Sequence, residues 1–189
     1  MVEIGQVVAD VEVYNLDGTP LGMHTLWRDT PVVLTFLRHF GCQFCRAFLG
    51  TLRGVYPEFV KQGAALVAVA QGTPAQTAYY RHSLRLPFPM LADPTRTVFR
   101  AFGLGQVPLH AALSPQVVGR MVHLAAQGTL PGVGDHLRAM TGSNGSSLAQ
   151  LSGTFIVGRG GVLRYSHRAT RIDQQPSVAD LLQALQDAS

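Results

Sequence analysis

Cys42 and Cys45, the two cysteines of this 189-residue chain, stand in the run Arg38-His-Phe-Gly-Cys-Gln-Phe-Cys-Arg46. At that spacing the sulfurs can approach each other when the second cysteine opens a helix. Thiol–disulfide chemistry needs such an approach, and it needs one thiol to be partly ionised at neutral pH. A helix N-terminus helps, because its unpaired N–H groups and positive dipole end favour a thiolate. Arg38 and Arg46 flank the pair, and His39 is a candidate acid or base beside it. The bland alternative is two inert, buried, small apolar side chains. The spacing at a strand–helix junction favours redox chemistry over that reading. A structural zinc would need two more ligands beyond the thiolates, and no second C-x-x-C or H-x-x-x-H is present. His39 and His167 are the candidates to complete one, a weaker reading. We assign no metal and no cofactor.

The elements that must hold these residues are legible around them. Pro31 starts a continuous apolar run, Val32–Leu37, which suits a strand covered on both faces. Phe44, Phe48, Leu52, Val55, Tyr56 and Phe59 then recur at helical spacing up to a stop at Gly63, with Pro57 expected to kink the helix. A second buried strand, Ala65–Ala70, leads to Thr73 as N-cap and Pro74 as first turn of a helix through Leu84. A short strand within Leu86–Asp93 precedes a helix opened by Asp93-Pro94, with Val98, Phe99 and Phe102 inward and Gly103 at its end.

Upstream, the alternation over residues 8–14 and the turn signal Asp17-Gly18 predict an N-terminal hairpin. Downstream, Thr154–Val157, Gly158–Gly161 and Val162–His167 predict a second hairpin, and Ser177 caps an amphipathic helix to Leu185. Residues 104–150 break the rhythm and read as an insertion, partly helical over Leu109–Ala126, with a flexible loop over Thr141–Ser147. The chain thus reads as one α/β domain over residues 1–189.

Hydrophobic residues make up 47% and charged residues 14% of the chain, which argues against disorder. The formal charge of +4 comes from 15 basic and 11 acidic residues scattered along it, so no basic run marks a nucleic-acid face. No apolar run reaches the roughly 20 residues of a membrane span. With an acid near the N-terminus where a signal peptide would be basic, the expected location is cytoplasmic.

Phe36-Leu-Arg-His-Phe-Gly-Cys-Gln-Phe-Cys-Arg46, Leu91-Ala-Asp93 before a helix, and Gly153-Thr-Phe-Ile-Val157 leading to Arg164-Tyr-Ser-His-Arg168 together resemble the peroxiredoxin-like branch of the AhpC/TSA superfamily. The resemblance implies a thioredoxin-like three-layer α/β/α sandwich with a mixed central sheet. It implies reduction of hydroperoxides, or general thiol-redox activity, with an external thiol such as thioredoxin or a small thiol as reductant, and a homodimer. Ordinary peroxiredoxins carry Pro-x-x-x-Thr/Ser-x-x-Cys at the attacking thiol. Matching that cysteine to Cys45 puts Cys42 in the Thr/Ser slot and Arg38 in the Pro slot. Cys45 would then become the sulfenic acid and Cys42 would resolve it.

Such proteins also bring an Arg, or in thioredoxins a cis-Pro, to the start of the C-terminal hairpin. Gln150-Leu-Ser-Gly153 offers neither. Arg164 and Arg168, near the end of the hairpin, are the best replacements, with Arg168 preferred, and alternation puts both on one face of their strand. Two alternatives stay open: a thioredoxin-like dithiol–disulfide exchanger in which Cys42 attacks, and a non-catalytic binding module with the same fold.

Overall fold

The computed structural model describes residues 1–108 and 149–187, together with positions 119, 122, 123, 126 and 147. Most of the insertion lies outside the described residues, including most of the expected partial helix over Leu109–Ala126 and all of the expected loop over Thr141–Ser147 except Ser147.

Seven strands and four helices are described: β1 (Glu12–Tyr14), β2 (Pro20–Gly22), β3 (Val32–Leu37), α1 (Gln43–Lys61), β4 (Ala65–Ala70), α2 (Pro74–Ser83), β5 (Met90–Ala92), α3 (Thr97–Ala101), β6 (Gly153–Val157), β7 (Leu163–Arg168) and α4 (Val178–Gln186). The strands form one mixed sheet in the order β2-β1-β5-β4-β3-β6-β7. β3, β4 and β5 run parallel, and the two hairpins add antiparallel strands at the edges. Central placement explains the unbroken apolar run of β3, whose six residues are all buried.

The two faces of the sheet carry separate cores. Val33 and Leu37 of β3 and Leu66, Ala68 and Ala70 of β4 pack under α1, α4 and the end of α2. Val32, Leu34 and Phe36 point the other way, toward Val98 and Phe99 of α3 and Trp27 of the turn Met23–Trp27. On that second face Phe36 meets Phe99, Phe102 and Phe155 at ring-centroid distances of 5.0, 5.0 and 5.5 Å. Truncating one such ring to alanine costs about 3–5 kcal/mol. The cluster anchors the C-terminal end of β3, and with it the loop that follows.

Both hairpins form where the turn residues predict them. Thr73 caps α2 through a reciprocal capping box with Gln76, and the Ser177 hydroxyl accepts the Asp180 N–H at the start of α4. Pro57 lies inside α1. One local expectation changes. α3 starts three residues later than Asp93-Pro94 suggests, because Arg96 takes a left-handed conformation (φ 57°) and holds the chain out of the helix until Thr97. Asp93 still caps it: its carboxylate accepts the N–H groups of Thr97, Val98 and Phe99 at 2.9, 2.8 and 3.1 Å.

Candidate active site

The site is the loop between the end of β3 and the first turn of α1. Cys42 is the N-cap of α1 in extended conformation, and its sulfur accepts the Cys45 N–H at 3.3 Å. A tight turn precedes it, closed by the Cys42 N–H on the His39 carbonyl at 3.0 Å. Arg38, 5% exposed, reaches back over this turn and sets Nη1 3.6 Å from Cys42 Sγ. Both cysteines are buried and reduced, with Phe40 and Phe44 in the same packed cluster.

Arg38 is held through its side chain and through its backbone. Arg38 Nε donates to the Gln150 carbonyl at 2.9 Å. The Arg38 carbonyl accepts from the amide of Gln71, the residue that follows β4. Gln71 also accepts the Ser147 N–H at 2.8 Å and donates to the Ser147 carbonyl at 3.0 Å. Gln150, in turn, donates through its side chain to the carbonyls of Gly105, Leu104 and Leu151 at 3.0, 3.3 and 3.3 Å. Val107 N–H to the Ala149 carbonyl and Leu151 N–H to the Gly105 carbonyl join the chain entering the insertion to the chain leaving it. The base of the insertion therefore fixes the arginine that faces the thiol.

This geometry makes the two thiols unequal. Burial opposes ionisation of Cys42. The Cys45 thiol, the Arg38 charge and the Cys45 N–H outweigh it and bring Cys42 down from the ordinary 9.0 to about 7. Cys45 has burial against it and a neighbouring Cys42 charge as well, so its pKa is pushed up and it stays a thiol. At neutral pH the pair is one nucleophile and one protonated partner.

Of the residues the sequence singled out, Cys42, Cys45 and Arg38 converge. His39 joins through its backbone carbonyl. Arg168 does not reach the site. In the β6–β7 register it lies opposite Gly153, on the face away from α1. There its guanidinium donates to the Phe102 carbonyl at 2.8 Å, the Ser166 hydroxyl at 2.7 Å and the Val2 carbonyl at 2.5 Å, over the Phe155 ring at 5.2 Å. From Tyr165 to Arg168 the alternation is as expected, and the face turned toward the thiols carries Tyr165 and His167 instead. Arg164 falls at the irregularity where the β6–β7 register shifts, and it is exposed. The guanidinium expected from the hairpin comes from the end of β3.

Sequence reasoning missed Gln71 and the role of Gln150. Gln71 had a signal: it is the first polar residue after an all-apolar central strand, at the C-terminal edge of the sheet where α/β proteins place their sites. Gln150 meets Arg38 through its backbone carbonyl, which left none. Beside the first turns of α1 lies a cleft of about 890 Å³ whose lining includes Phe44, Phe48, Arg46 and Arg53. Arg53 is already committed to the Leu84 carbonyl at 2.7 Å.

Peroxiredoxin-like 2C from Homo sapiens is 23% identical over 177 residues, covering 92% of this chain and 76% of that protein. Prostamide/prostaglandin F synthase from Salmo salar is 42% identical, but over 55 residues only, 29% of this chain and 28% of the synthase. The crystal structure of peroxidoxin BcpB from Mycobacterium tuberculosis superposes with a TM-score of 0.70 at 20% identity, covering 100% of this chain and 99% of the other, which shows a common fold. The AhpC/TSA family model matches residues 4–166, a span that takes in the thiol loop and nearly all of the sheet, and the chain belongs to that family.

Proposed function

We propose that the protein is a thiol-dependent oxidoreductase that reduces hydroperoxides, with Cys42 as the attacking thiol and Cys45 as the resolving one. The observation that carries this reading is the convergence of the Cys45 N–H and the Arg38 guanidinium on Cys42 Sγ, at 3.3 and 3.6 Å. It reverses the order of roles that the resemblance implies. Both donors favour the anion at Cys42, whereas that anion disfavours a second one at Cys45.

The chemistry then runs in two steps. The Cys42 thiolate attacks one peroxide oxygen, the O–O bond breaks, and the alcohol or water leaves with a proton, giving a Cys42 sulfenic acid. The buried Arg38 charge lies where negative charge passes from sulfur to oxygen. Cys45 then attacks the oxidised Cys42 sulfur, the S–O bond breaks, and water leaves behind a Cys42–Cys45 disulfide. An external dithiol or small thiol returns two electrons.

The thioredoxin-like exchange reading uses the same nucleophile, and the protonated, buried partner at Cys45 suits it equally. Mass spectrometry after substoichiometric hydrogen peroxide separates the readings. In C45S a trappable sulfenic acid should form at Cys42 much faster than on free cysteine, and C42S should form none at Cys45. Oxidation confined to Cys45 refutes the assignment of roles. Rates equal to free cysteine refute peroxide as substrate and leave disulfide exchange to be assayed.

A further inference from the structure

Arg38 and Gln71 are the first residues past the sheet on adjacent strands. The parallel ladder of β3 and β4 ends with Leu37 opposite Ala70, and the link one residue further on is made by a side chain. Gln71 is 3% exposed, and its Nε2 donates to the Arg38 carbonyl. The same carboxamide forms a two-way pair with Ser147, its Oε1 accepting the Ser147 N–H and its Nε2 donating to the Ser147 carbonyl. That pair fixes which end of the amide is oxygen, since an N–H must meet Oε1 and a carbonyl must meet Nε2. An amide so buried costs stability unless it is bonded. Here one bond goes to the residue that carries the guanidinium and two go to the returning end of the insertion. Next door, Gly72 makes room for the same loop: a Cβ there would collide with the Phe40 ring, which Tyr80 backs at 4.9 Å between centroids. The start of the thiol loop is thus seated on Gln71-Gly72.

We propose that Gln71 is a positioning residue for the attacking thiol: its carboxamide ties the returning end of the insertion to the Arg38 backbone and so keeps the guanidinium on Cys42 Sγ. Arg38 Nη1 stands 3.6 Å from that sulfur, and its pull on a thiolate weakens as the distance grows. The Nε anchor on the Gln150 carbonyl comes from the same returning segment. Cys45 and Arg38 act on the ionisation of Cys42, and Tyr80 of α2 feels its charge. Of these groups, Arg38 is the one that the insertion holds. Part of the acidity of Cys42 is therefore set by the docking of the insertion, through Gln71 and Arg38 in turn.

The inference rests on Cys42 being the attacking thiol, and its test needs no peroxide. Iodoacetamide labelling of Cys42 in the full chain is followed from pH 5 to 10 in the parent, Q71M, R38M and R38M/Q71M. The parent midpoint should lie at about 7. Q71M should raise it by about one pH unit, which cuts the thiolate fraction at pH 7 from about half to about one-tenth. In the R38M background the same substitution should leave the midpoint where it is, because a residue that acts through Arg38 then has nothing to act on. Cys45 is the internal control for folding: while it stays packed its labelling remains slow, whereas in an unfolded chain both thiols label alike. Q71N, whose amide is one methylene short of its partners, is the milder second variant and should shift the midpoint in the same direction. A midpoint that neither Q71M nor Q71N moves overturns the inference, as does an equal shift with and without Arg38, which would make Gln71 a packing residue. A parent protein that labels at Cys42 yet is inert to hydroperoxide counts against the proposed function alone, and the labelling profiles decide the role of Gln71 in either case.

Discussion

Replacing Arg38 by methionine removes the one guanidinium at Cys42 while keeping an unbranched side chain in the buried slot. In the intact protein Cys42 lies at about 7, so roughly half of it is thiolate at pH 7. A return to the ordinary 9.0 in the variant leaves about 1% thiolate, a ~50-fold loss. Nucleophilicity works in the opposite direction. A thiolate of higher pKa is intrinsically more reactive, by roughly sixfold to tenfold across the same interval.

The net expectation for R38M is therefore a loss of only about fivefold to tenfold in Cys42 alkylation at pH 7. The curves should cross as pH rises, so that near pH 10 the variant is the faster of the two. The assay is site-resolved iodoacetamide labelling of Cys42 from pH 5 to 10, read by mass spectrometry. R38M also strands the Gln150 carbonyl that Arg38 Nε now satisfies at 2.9 Å. R38K is the companion variant, retaining a charge without the fork, and should fall between the two. Profiles of identical midpoint, or a uniform loss at every pH, would refute the electrostatic role of Arg38 and point to access or packing instead.

Two further outcomes concern stability. Asp93→Ala should cost about 2 kcal/mol or more in urea unfolding, since it strips three N–H groups at the start of α3 of their acceptor; D93N, which keeps one acceptor oxygen, should lie between. The reduced protein should also gain stability between pH 7 and 9. Cys42 is depressed in the folded state, so its contribution is fully present above about 9 and lost as pH falls through about 7, at most ~3 kcal/mol in total. Cys45, raised on folding, has the opposite sign: its contribution holds below its unfolded value and is lost as pH climbs through the folded one. The urea midpoint should therefore rise to about pH 9 and then turn down, and C42S should abolish the rise.

Much of the frame is local and was legible. Val32–Leu37 reads as a doubly covered strand because a central parallel strand has no solvent face. Thr73 and Ser177 read as caps because their hydroxyls satisfy N–H groups within three residues. The onset of α3 was misplaced because Asp93 caps at a distance, with Arg96 in a left-handed turn between cap and helix. The alternation of β7 holds from Tyr165 to Arg168, yet it could not say which of its faces turns toward α1. That depends on the antiparallel pairing of β7 with β6, and of β6 with β3, across more than a hundred residues of chain.

The same division holds at the thiols. That two cysteines three apart open a helix after a buried strand, with Arg38 close by, is readable along the chain, because those relations span only a few residues. That Arg38 faces Cys42, that Gln71 and the base of the insertion hold it there, and that Arg168 bonds on the opposite face all depend on how distant strands pair. Which thiol is the anion follows from burial and from donors contributed by distant strands, and neither quantity is encoded in spacing along the chain.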